Sequence, residues 1–159
     1  MKKVLIVYYS KSGNTRKLAQ AVAAGVKASG AGCDCKPVAR AKVADLLRYD
    51  AIILGSPTYY GQMAAEMKQF IDKSVRIHGR LAGKVGGAFT TAGGTHCGAE
   101  TCLLSLLAAL LIHGMAVIGD ASYNHYGPAA VGAPDKAALR LGRLYGRKIA
   151  RLAKKLSSK

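Results

Sequence analysis

The feature that most constrains the fold is a series of apolar runs, each of which opens into a loop rich in Gly, Ser and Thr. The runs end as "VLIVYYS", "IILGS", "AFTTA" and "VIGD". Continuous apolar runs are typical of strands that are buried on both faces of a parallel sheet. A weaker strand is predicted around residues 33–38, and helices are predicted at 63–75, 100–113 and 135–156. The alternation predicts an α/β fold with helices on both faces of one sheet.

The chain is predicted to be a single domain over residues 1–159. Its 159 residues suit one domain, and no Pro/Ser-rich linker divides them. In open α/β sheets, ligands bind beyond the carboxyl ends of the strands. We therefore expect the loops after the apolar runs to converge on one site.

The sequence predicts neither secretion, membrane insertion nor a metal site. The start "MKKVLIVYYS" resembles a signal peptide, but its apolar run is short and leads into a glycine loop. The longest apolar segment, "CLLSLLAALLIHG", falls below the ~18 residues of a membrane span. The cysteines at 33, 35, 97 and 102 form no C-x-x-C pair or metal half-site. Reduced thiols in the cytoplasm are expected, and a buried, inert role is favoured for Cys97 over a redox role.

The charge of the chain is strongly positive. Twenty-four Lys and Arg stand against eight Asp and Glu, a formal net charge of +16. Such a field attracts anions, whether nucleic acid, anionic lipid, acidic protein or phosphorylated cofactor. A basic stripe is predicted on the last helix, formed by Lys136, Arg140, Arg143, Arg147, Arg151 and Lys154. Weak non-specific anion binding is one interpretation, and an ordinary solvated helix face is the other.

The loop "YYSKSGNTRKLA" after the first apolar run is typical of a phosphate site. Glycine lets backbone N–H groups turn inward, and the following helix start favours an anion. The loop is neither the G-x-x-x-x-G-K-[ST] motif of nucleotide hydrolysis nor the dinucleotide G-x-G-x-x-G. The alternative is a Ser/Gly turn in which Asn14 or Thr15 only caps the helix.

These segments resemble a known family in order along the chain. "YYSKSGNTRKLAQAV" resembles the flavodoxin signature [ST]-x-[ST]-G-N-T, whose loop holds the phosphate of FMN. "YDAIILGSPTYYGQMAAEMKQFID", "FTTAGGTHCGAE", "IHGMAVIG" and "PDKAALRLGRLYGRKIA" resemble segments of the WrbA-type NAD(P)H:quinone oxidoreductases. The resemblance implies a flavodoxin-like three-layer α/β/α sandwich with a five-stranded parallel sheet in the order 2-1-3-4-5.

The resemblance also implies non-covalent FMN at three loops. The first loop would hold the phosphate through Ser10, Lys11, Ser12, Gly13, Asn14 and Thr15. The second would line the ring and ribityl chain through Pro57, Thr58, Tyr59, Tyr60 and Gly61. The third would bring backbone N–H groups to the polar edge of the ring through Thr91, Ala92, Gly93, Gly94 and Thr95. Backbone donors at that edge stabilise negative charge on a reduced ring.

The function that the resemblance implies is electron transfer from NADH or NADPH, through FMN, to a quinone-like acceptor. His113 matches the family's histidine near the pocket and is the candidate catalytic residue, although a histidine in a last helical turn is also favourable without any function. The alternatives are a flavodoxin-type electron carrier for a redox protein, without NAD(P)H activity, and a basic flavoprotein that also binds anionic partners.

Two further features bear on assembly and substrate. The helix at 100–112 is apolar round most of its circumference, which predicts a homo-oligomer, a dimer or a tetramer. Compared with the WrbA-type proteins, the chain lacks much of the loop inserted after the second helix, and it contains no Trp. In the family, that insertion supplies an aromatic wall over the flavin.

Overall fold

The apolar runs form the strands of one twisted sheet. The structure is a computed structural model that describes residues 1–122 and 124–156. The strands are β1 Lys3–Tyr8, β2 Gly32–Pro37, β3 Ala51–Tyr59, β4 Gln62–Met63, β5 Val85–Ala92, β6 Ala116–Val117 and β7 Ala129–Val131. All pairs are parallel except β3 with β4, which form a tight antiparallel hairpin.

The strand order β2-β1-β3-β5-β6 confirms the predicted order 2-1-3-4-5. The fifth position is shared by two short strands. β6 pairs with the start of β5, where Ala116 lies opposite Val85, and β7 pairs with its end, where Ala129 lies opposite Thr90. The last apolar run, which ends in "VIGD", was therefore wrong as a single strand: only Ala116–Val117 of it pairs, and β7 supplies the rest of the fifth position.

A glycine explains how the chain returns to the sheet after β6. Gly127 has φ +139°, and a Cβ there would lie 2.1 Å from the carbonyl oxygen of Ala88 in β5. Only glycine fits so close to a neighbouring backbone. The chain can therefore leave the sheet after Val117 and rejoin it at β7.

In the described residues, four α-helices cover the sheet, two on each face. They are α1 Asn14–Lys27, α2 Ala65–Lys73, α3 Ala99–Ile112 and α4 Lys136–Leu156. One core lies between the sheet and α1 with α4, and it includes Ile6, Leu18 and Ile149. The other lies between the sheet and α2 with α3, and it includes Leu5 and Leu106. Alternate residues of β1 thus enter opposite cores, which is the period-2 pattern of a strand buried on both faces.

Helix α2 begins later than the predicted 63–75. Gln62 and Met63 pair with the end of β3 instead of entering the helix, and a 3₁₀ turn, Ser74–Ile77, follows it. Helix α4 agrees with the prediction closely, and all six cations of its basic stripe are exposed. Leu156, at the end of α4, is about half exposed.

Glycines set the close packing of α1 against α4. A Cβ on Gly25 would lie 1.9 Å from the carbonyl oxygen of Arg143, and a Cβ on Gly146 would lie 2.0 Å from that of Val22. The two backbones therefore touch where the sequence offers no large side chains. Within residues 1–122 and 124–156, no helix has the length and apolar content to cross a membrane.

Candidate functional site

Three loops meet at one edge of the sheet. β1, β3 and β5 are adjacent and parallel, so the segments at their carboxyl ends lie side by side. The first loop is residues 9–13, the second is residues 57–61 and the third is residues 93–98. All of the residues predicted to hold a cofactor lie in or next to these loops, as the rule for open α/β sheets anticipates.

The first loop is shaped by Ser10 and Gly13. Ser10 Oγ accepts hydrogen bonds from the N–H groups of Gly13 (3.1 Å) and Arg16 (3.2 Å). Gly13 takes φ +96° at the start of α1, a conformation that favours glycine. The backbone N–H groups of Asn14 and Thr15 donate to no acceptor in the described part of the chain. The first turn of α1 also contains no acidic residue. These free donors suit an anion at a helix start.

A buried pair of threonines joins the first loop to β5. Thr15 Oγ1 lies 2.8 Å from Thr91 Oγ1, and both residues are almost completely buried. In such a pair one hydroxyl donates, and the hydrogen of the other stays free for a further acceptor. Thr91 and Ala92 are the last residues of β5 and pair with β7. The third loop itself therefore begins only at Gly93.

The second loop includes the end of β3 and the two-residue turn of the β3–β4 hairpin. Its central residues, Tyr60 and Gly61, have φ +50° and +73°. Positive φ at both positions is the signature of the type I′ turn that hairpins prefer. Tyr60 is fully exposed at the tip and Tyr59 is 41% exposed, so both rings are accessible beside the third loop.

The hydroxyl of Thr58 is directed into the protein. Thr90 Oγ1 donates to the carbonyl oxygen of Ser56 at 2.7 Å, which uses the only hydrogen of that hydroxyl. Thr58 Oγ1, 2.8 Å from Thr90 Oγ1, must then be the donor between the two. Because its hydrogen is taken, Thr58 has only its methyl group and backbone to offer a ligand.

The second and third loops are fastened together at a glycine that the sequence interpretation missed. Gly98 has φ +80°, and a Cβ there would lie 2.6 Å from the Cα of Gly61. Thr101 Oγ1 lies within hydrogen-bonding distance of the carbonyl oxygens of Gly61 (2.7 Å) and Gly98 (3.0 Å). The sequence does contain a signal for this contact: Gly98, the last residue of "GTHCG", and glycine is common where two backbones approach closely.

The third loop is open. A Cβ on Gly93 would meet nothing within 4 Å, and Thr95 and Cys97 are exposed. His96 takes φ +56°, which is uncommon for a residue with a side chain. The expectation that Cys97 is buried was wrong, because the loop turns its side chain outward, where Sγ lies 3.4 Å from the carbonyl oxygen of Thr95.

A tyrosine and a glutamate beside the loops also escaped the sequence interpretation. Tyr9 is the first residue of the first loop, and its interaction with the Glu66 side chain is the main cause that raises the pKa of Tyr9. The charge of Tyr59 adds to the same rise, so the two rings lie near each other. Within the described residues, no three His, Cys, Asp or Glu side chains cluster as metal ligands.

His113 lies away from the three loops. It caps the C-terminal end of α3, whereas the third loop leads into the N-terminal end. A helix of 14 residues is about 21 Å long. His113 Nε2 lies 2.7 Å from Ser74 Oγ, and Ser74 Oγ also lies within hydrogen-bonding distance of the carbonyl oxygen of Ile71. The structure thus does not bring His113 together with the predicted flavin residues in one chain.

The charge state of His113 follows from its burial. The Ser74 hydroxyl hydrogen is within reach of both the carbonyl oxygen of Ile71 and Nε2 of His113, so the tautomer of the ring depends on which of the two it points to. Nδ1 is buried without a partner in the described part of the chain. Burial, with a smaller effect from His78, lowers the pKa of His113. The ring is therefore neutral near pH 7.

The fold and the three loops define the flavodoxin-like class of α/β proteins. The model of the family described as "Flavodoxin domain" matches residues 5–101. This chain belongs to the flavodoxin domain family.

Relatives named NAD(P)H dehydrogenase (quinone) are similar along most of the chain. The one from Archaeoglobus fulgidus is 36% identical over 190 positions, covering 98% of this chain and 100% of the relative. The one from Gluconacetobacter diazotrophicus is 43% identical over 149 positions, covering 80% of this chain and 74% of the relative. The first alignment is longer than the 159 residues of this chain, so that relative carries insertions that this chain lacks.

Solved structures confirm the fold. A WrbA-like flavodoxin protein from Agrobacterium tumefaciens superimposes with a TM-score of 0.85 at 27% identity, covering 99% of this chain and 100% of the other. An archaeal flavodoxin gives a TM-score of 0.80 at 25% identity, covering 96% and 99% of the two chains. The strand order, the family match and these superpositions agree.

Proposed function

We propose that this protein is an FMN-dependent oxidoreductase that passes electrons from NAD(P)H to a quinone-like acceptor. The observation that carries the proposal is the meeting of a neutral anion cradle with an open glycine loop and a pair of accessible tyrosines. The curated relatives, which are named NAD(P)H dehydrogenase (quinone), support the same activity. FMN, when bound, supplies the redox chemistry that no side chain of the site can provide.

The first loop is the proposed holder of the FMN phosphate. The free N–H groups of Asn14 and Thr15 would donate to phosphate oxygens, and the exposed Ser12 hydroxyl would add a third donor. The buried hydrogen bond between Thr15 and Thr91 holds the start of α1 against β5. Lys11 and Arg16 carry the nearest cations on the loop and the start of α1.

The second and third loops are the proposed walls of the flavin ring. Tyr59 and Tyr60 would provide aromatic surface on one side, and Gly93, Gly94 and Thr95 would bring backbone donors to the polar edge. Because Gly93 has open space around it, a flat ring can approach its backbone closely. Backbone donors stabilise negative charge without any reorganisation at the moment of electron transfer.

A carrier that only meets redox proteins is the main competing function. Carriers of the flavodoxin type commonly dock through an acidic face, and this chain carries +16. The exposed tyrosines and the open third loop leave room for small substrates beside the proposed ring site. Both observations favour a reductase that binds nicotinamide and acceptor in turn.

A steady-state assay tests the proposed function. FMN-saturated protein is given NADH or NADPH with a soluble benzoquinone, and nucleotide oxidation is followed by its absorbance. The proposal predicts enzyme-dependent oxidation that stops when the quinone is left out and oxygen is excluded. A rate no greater than that of free FMN would contradict it.

Assembly into a homo-oligomer is part of the proposal. Helix α3 exposes Leu104, Leu111 and Ile112, and Val75 is exposed beside α2. A largely apolar cleft of about 820 Å³ lies between the two helices. Contiguous apolar surface of this kind marks interaction sites. Light scattering at micromolar concentration should give a mass of at least twice 16.6 kDa, and a monomer would contradict this part.

The remaining proposals concern organisation and location. We propose one domain over residues 1–159, since one sheet links the elements from β1 to β7. We propose a cytoplasmic location, because Cys33, Cys35, Cys97 and Cys102 are all free thiols and cytosolic proteins keep thiols reduced.

A further inference from the structure

A second cleft adjoins the first loop on the side away from the proposed flavin site. It measures about 670 Å³ and lies between the first loop and the segment formed by Pro37 and the 3₁₀ turn Val38–Arg40. In the sheet, β1 stands between β2 and β3. The loop after β1 therefore has two sides: one faces the second and third loops, and the other faces this cleft.

Three cations line the cleft from three separate positions. Lys11 comes from the loop, Arg16 from the first turn of α1, and Arg40 from the end of the 3₁₀ turn. All three are exposed, and within the described residues none of their charged groups forms an ion pair or a hydrogen bond. No lining residue is acidic. Their charge is therefore not neutralised by the protein itself.

Two of the guanidinium groups approach the same tyrosine. Burial and Cys35 raise the pKa of Tyr8, whereas the charges of Arg16 and Arg40 both act to lower it. Arg16 also folds back over the loop, since its Nη2 would lie 3.8 Å from a Cβ on Gly13. Arg16 and Arg40 thus line the same cleft as Tyr8, although they belong to different elements.

The rest of the lining suits the body of a nucleotide. Cys35, Pro37, Val38 and Ala39 give apolar surface next to the cations. A volume of about 670 Å³ falls in the range of about 300–1,000 Å³ that is common for small-molecule sites. Apolar surface with a few convergent charges is the composition expected where a ring stacks and a phosphate is recognised.

We propose that this cleft binds the adenosine end of NADPH, with Arg40 and Arg16 holding its 2′-phosphate, so that the protein prefers NADPH to NADH. This inference rests on the proposed function, because it assigns the electron donor of the same site. The 2′-phosphate is the one group that distinguishes the two nucleotides. Arginine is well suited to it, since its planar fork can make two hydrogen bonds to one phosphate.

The cleft and the proposed FMN phosphate site differ in the groups that they offer to an anion. The cradle at Asn14 and Thr15 offers backbone N–H groups and hydroxyls, and it is tied to β5 through Thr91. The cleft adds three exposed cations and lies next to β2. The two sites share the first loop, because Ser10, Lys11, Ser12, Gly13 and Arg16 all line the cleft, whereas Arg40 belongs to the cleft alone.

Binding of a probe without turnover is the direct test. FMN-saturated protein is titrated with adenosine 2′,5′-bisphosphate and with AMP, which lacks the 2′-phosphate, by calorimetry. We expect the bisphosphate to bind at least about tenfold more tightly than AMP, and Arg40→Ala to weaken the bisphosphate by about tenfold or more. The control is Arg151→Ala, which removes an exposed arginine near the end of α4.

Equal binding of the two probes, or equal effects of Arg40→Ala and Arg151→Ala, would overturn the proposal. FMN affinity is measured for each variant, and it should not change in either. Inorganic phosphate is added as a competitor: full displacement of AMP as well as of the bisphosphate would also overturn the assignment, because it would mean that only a 5′-phosphate is recognised.

Steady-state kinetics with NADPH and NADH distinguish a failure of this proposal from a failure of the proposed function. Arg40→Ala should raise the KM for NADPH by about tenfold and leave the KM for NADH and both kcat values unchanged. If the bisphosphate binds as expected while neither nucleotide reduces the flavin, the reductase function fails and the anion site stands. If NADPH and NADH react alike in wild type and Arg40→Ala, the reductase function stands and the site fails.

Discussion

Thr15 Oγ1 lies 2.8 Å from Thr91 Oγ1, and this buried contact joins the first turn of α1 to the end of β5. Neither hydroxyl has access to bulk water. The bond therefore positions the proposed phosphate cradle relative to the strand that leads into the third loop.

Replacing one member of this pair should destabilise the protein. Thr91→Val keeps the shape but leaves the hydroxyl of Thr15 buried without its partner, which costs about 1–3 kcal/mol. The double variant Thr15→Val/Thr91→Val should lose less than the sum of the two single variants, since no hydroxyl is then left unpaired. Urea unfolding of all four proteins without FMN measures this coupling. Additive losses would mean that the two hydroxyls do not bond.

A negative charge on the first loop should weaken FMN binding. Ser12→Asp places a carboxylate beside the proposed phosphate position, where like charges at about 4 Å repel by about 4 kcal/mol at an effective dielectric constant near 20. We expect a rise in the FMN dissociation constant of at least about tenfold, measured by quenching of flavin fluorescence. Ser12→Asn is the control, because asparagine has the same size as aspartate but carries no charge. Equal affinities of the two variants would refute the phosphate assignment.

Gly98 should be the least replaceable glycine of the third loop. Gly98→Ala adds a Cβ at φ +80° and at 2.6 Å from the Cα of Gly61. The backbone conformation alone costs about 1–2 kcal/mol, and the contact would push the second and third loops apart. Thermal unfolding should show the loss, and FMN affinity should fall with it.

Gly93→Ala is the matched control, because a Cβ there meets nothing within 4 Å. Its stability should change by no more than about 0.5 kcal/mol. Should Gly93→Ala destabilise the protein as much as Gly98→Ala, the close approach of the two loops would not be the cause.

The neutral, buried His113 should make the protein less stable in mild acid. Its folded pKa lies below the ordinary 6.5, so between these two values the unfolded chain binds more protons than the folded one. Stability is therefore full above about pH 6.5 and falls as the pH drops towards the folded pKa.

His113→Gln should remove part of this pH dependence, as measured by urea unfolding between pH 7.5 and pH 5. His125→Gln, which replaces an exposed histidine, serves as the control and should keep the wild-type slope. An unchanged slope in His113→Gln would mean that the burial of His113 does not set this pH dependence.

The fold was predictable because its signals are local. The run from Val4 to Tyr8 is apolar at every position, and the loop after it combines Gly13 with hydroxyl side chains. Burial on two faces and a turn into a helix follow from such a pattern directly. The helices α3 and α4 also agree closely with their predicted bounds.

The features that sequence reasoning missed depend on contacts between distant segments. The approach of Gly98 to Gly61, and of Gly146 to Val22, involves backbones that are far apart in sequence. The convergence of Arg16 and Arg40 has the same origin. His113 shows the converse, because its motif is plain in the sequence while its place at the far end of α3 is set by the length of that helix.

The central claim is that NAD(P)H reduces FMN on this protein, and a single-turnover experiment tests it most directly. FMN-saturated protein is mixed with NADH or NADPH without oxygen, and the visible absorbance of the flavin is followed, with a quinone added afterwards. The account predicts that the absorbance falls faster than with free FMN and returns when the quinone is added. Flavin that keeps its absorbance with both nucleotides would contradict the account and leave a carrier.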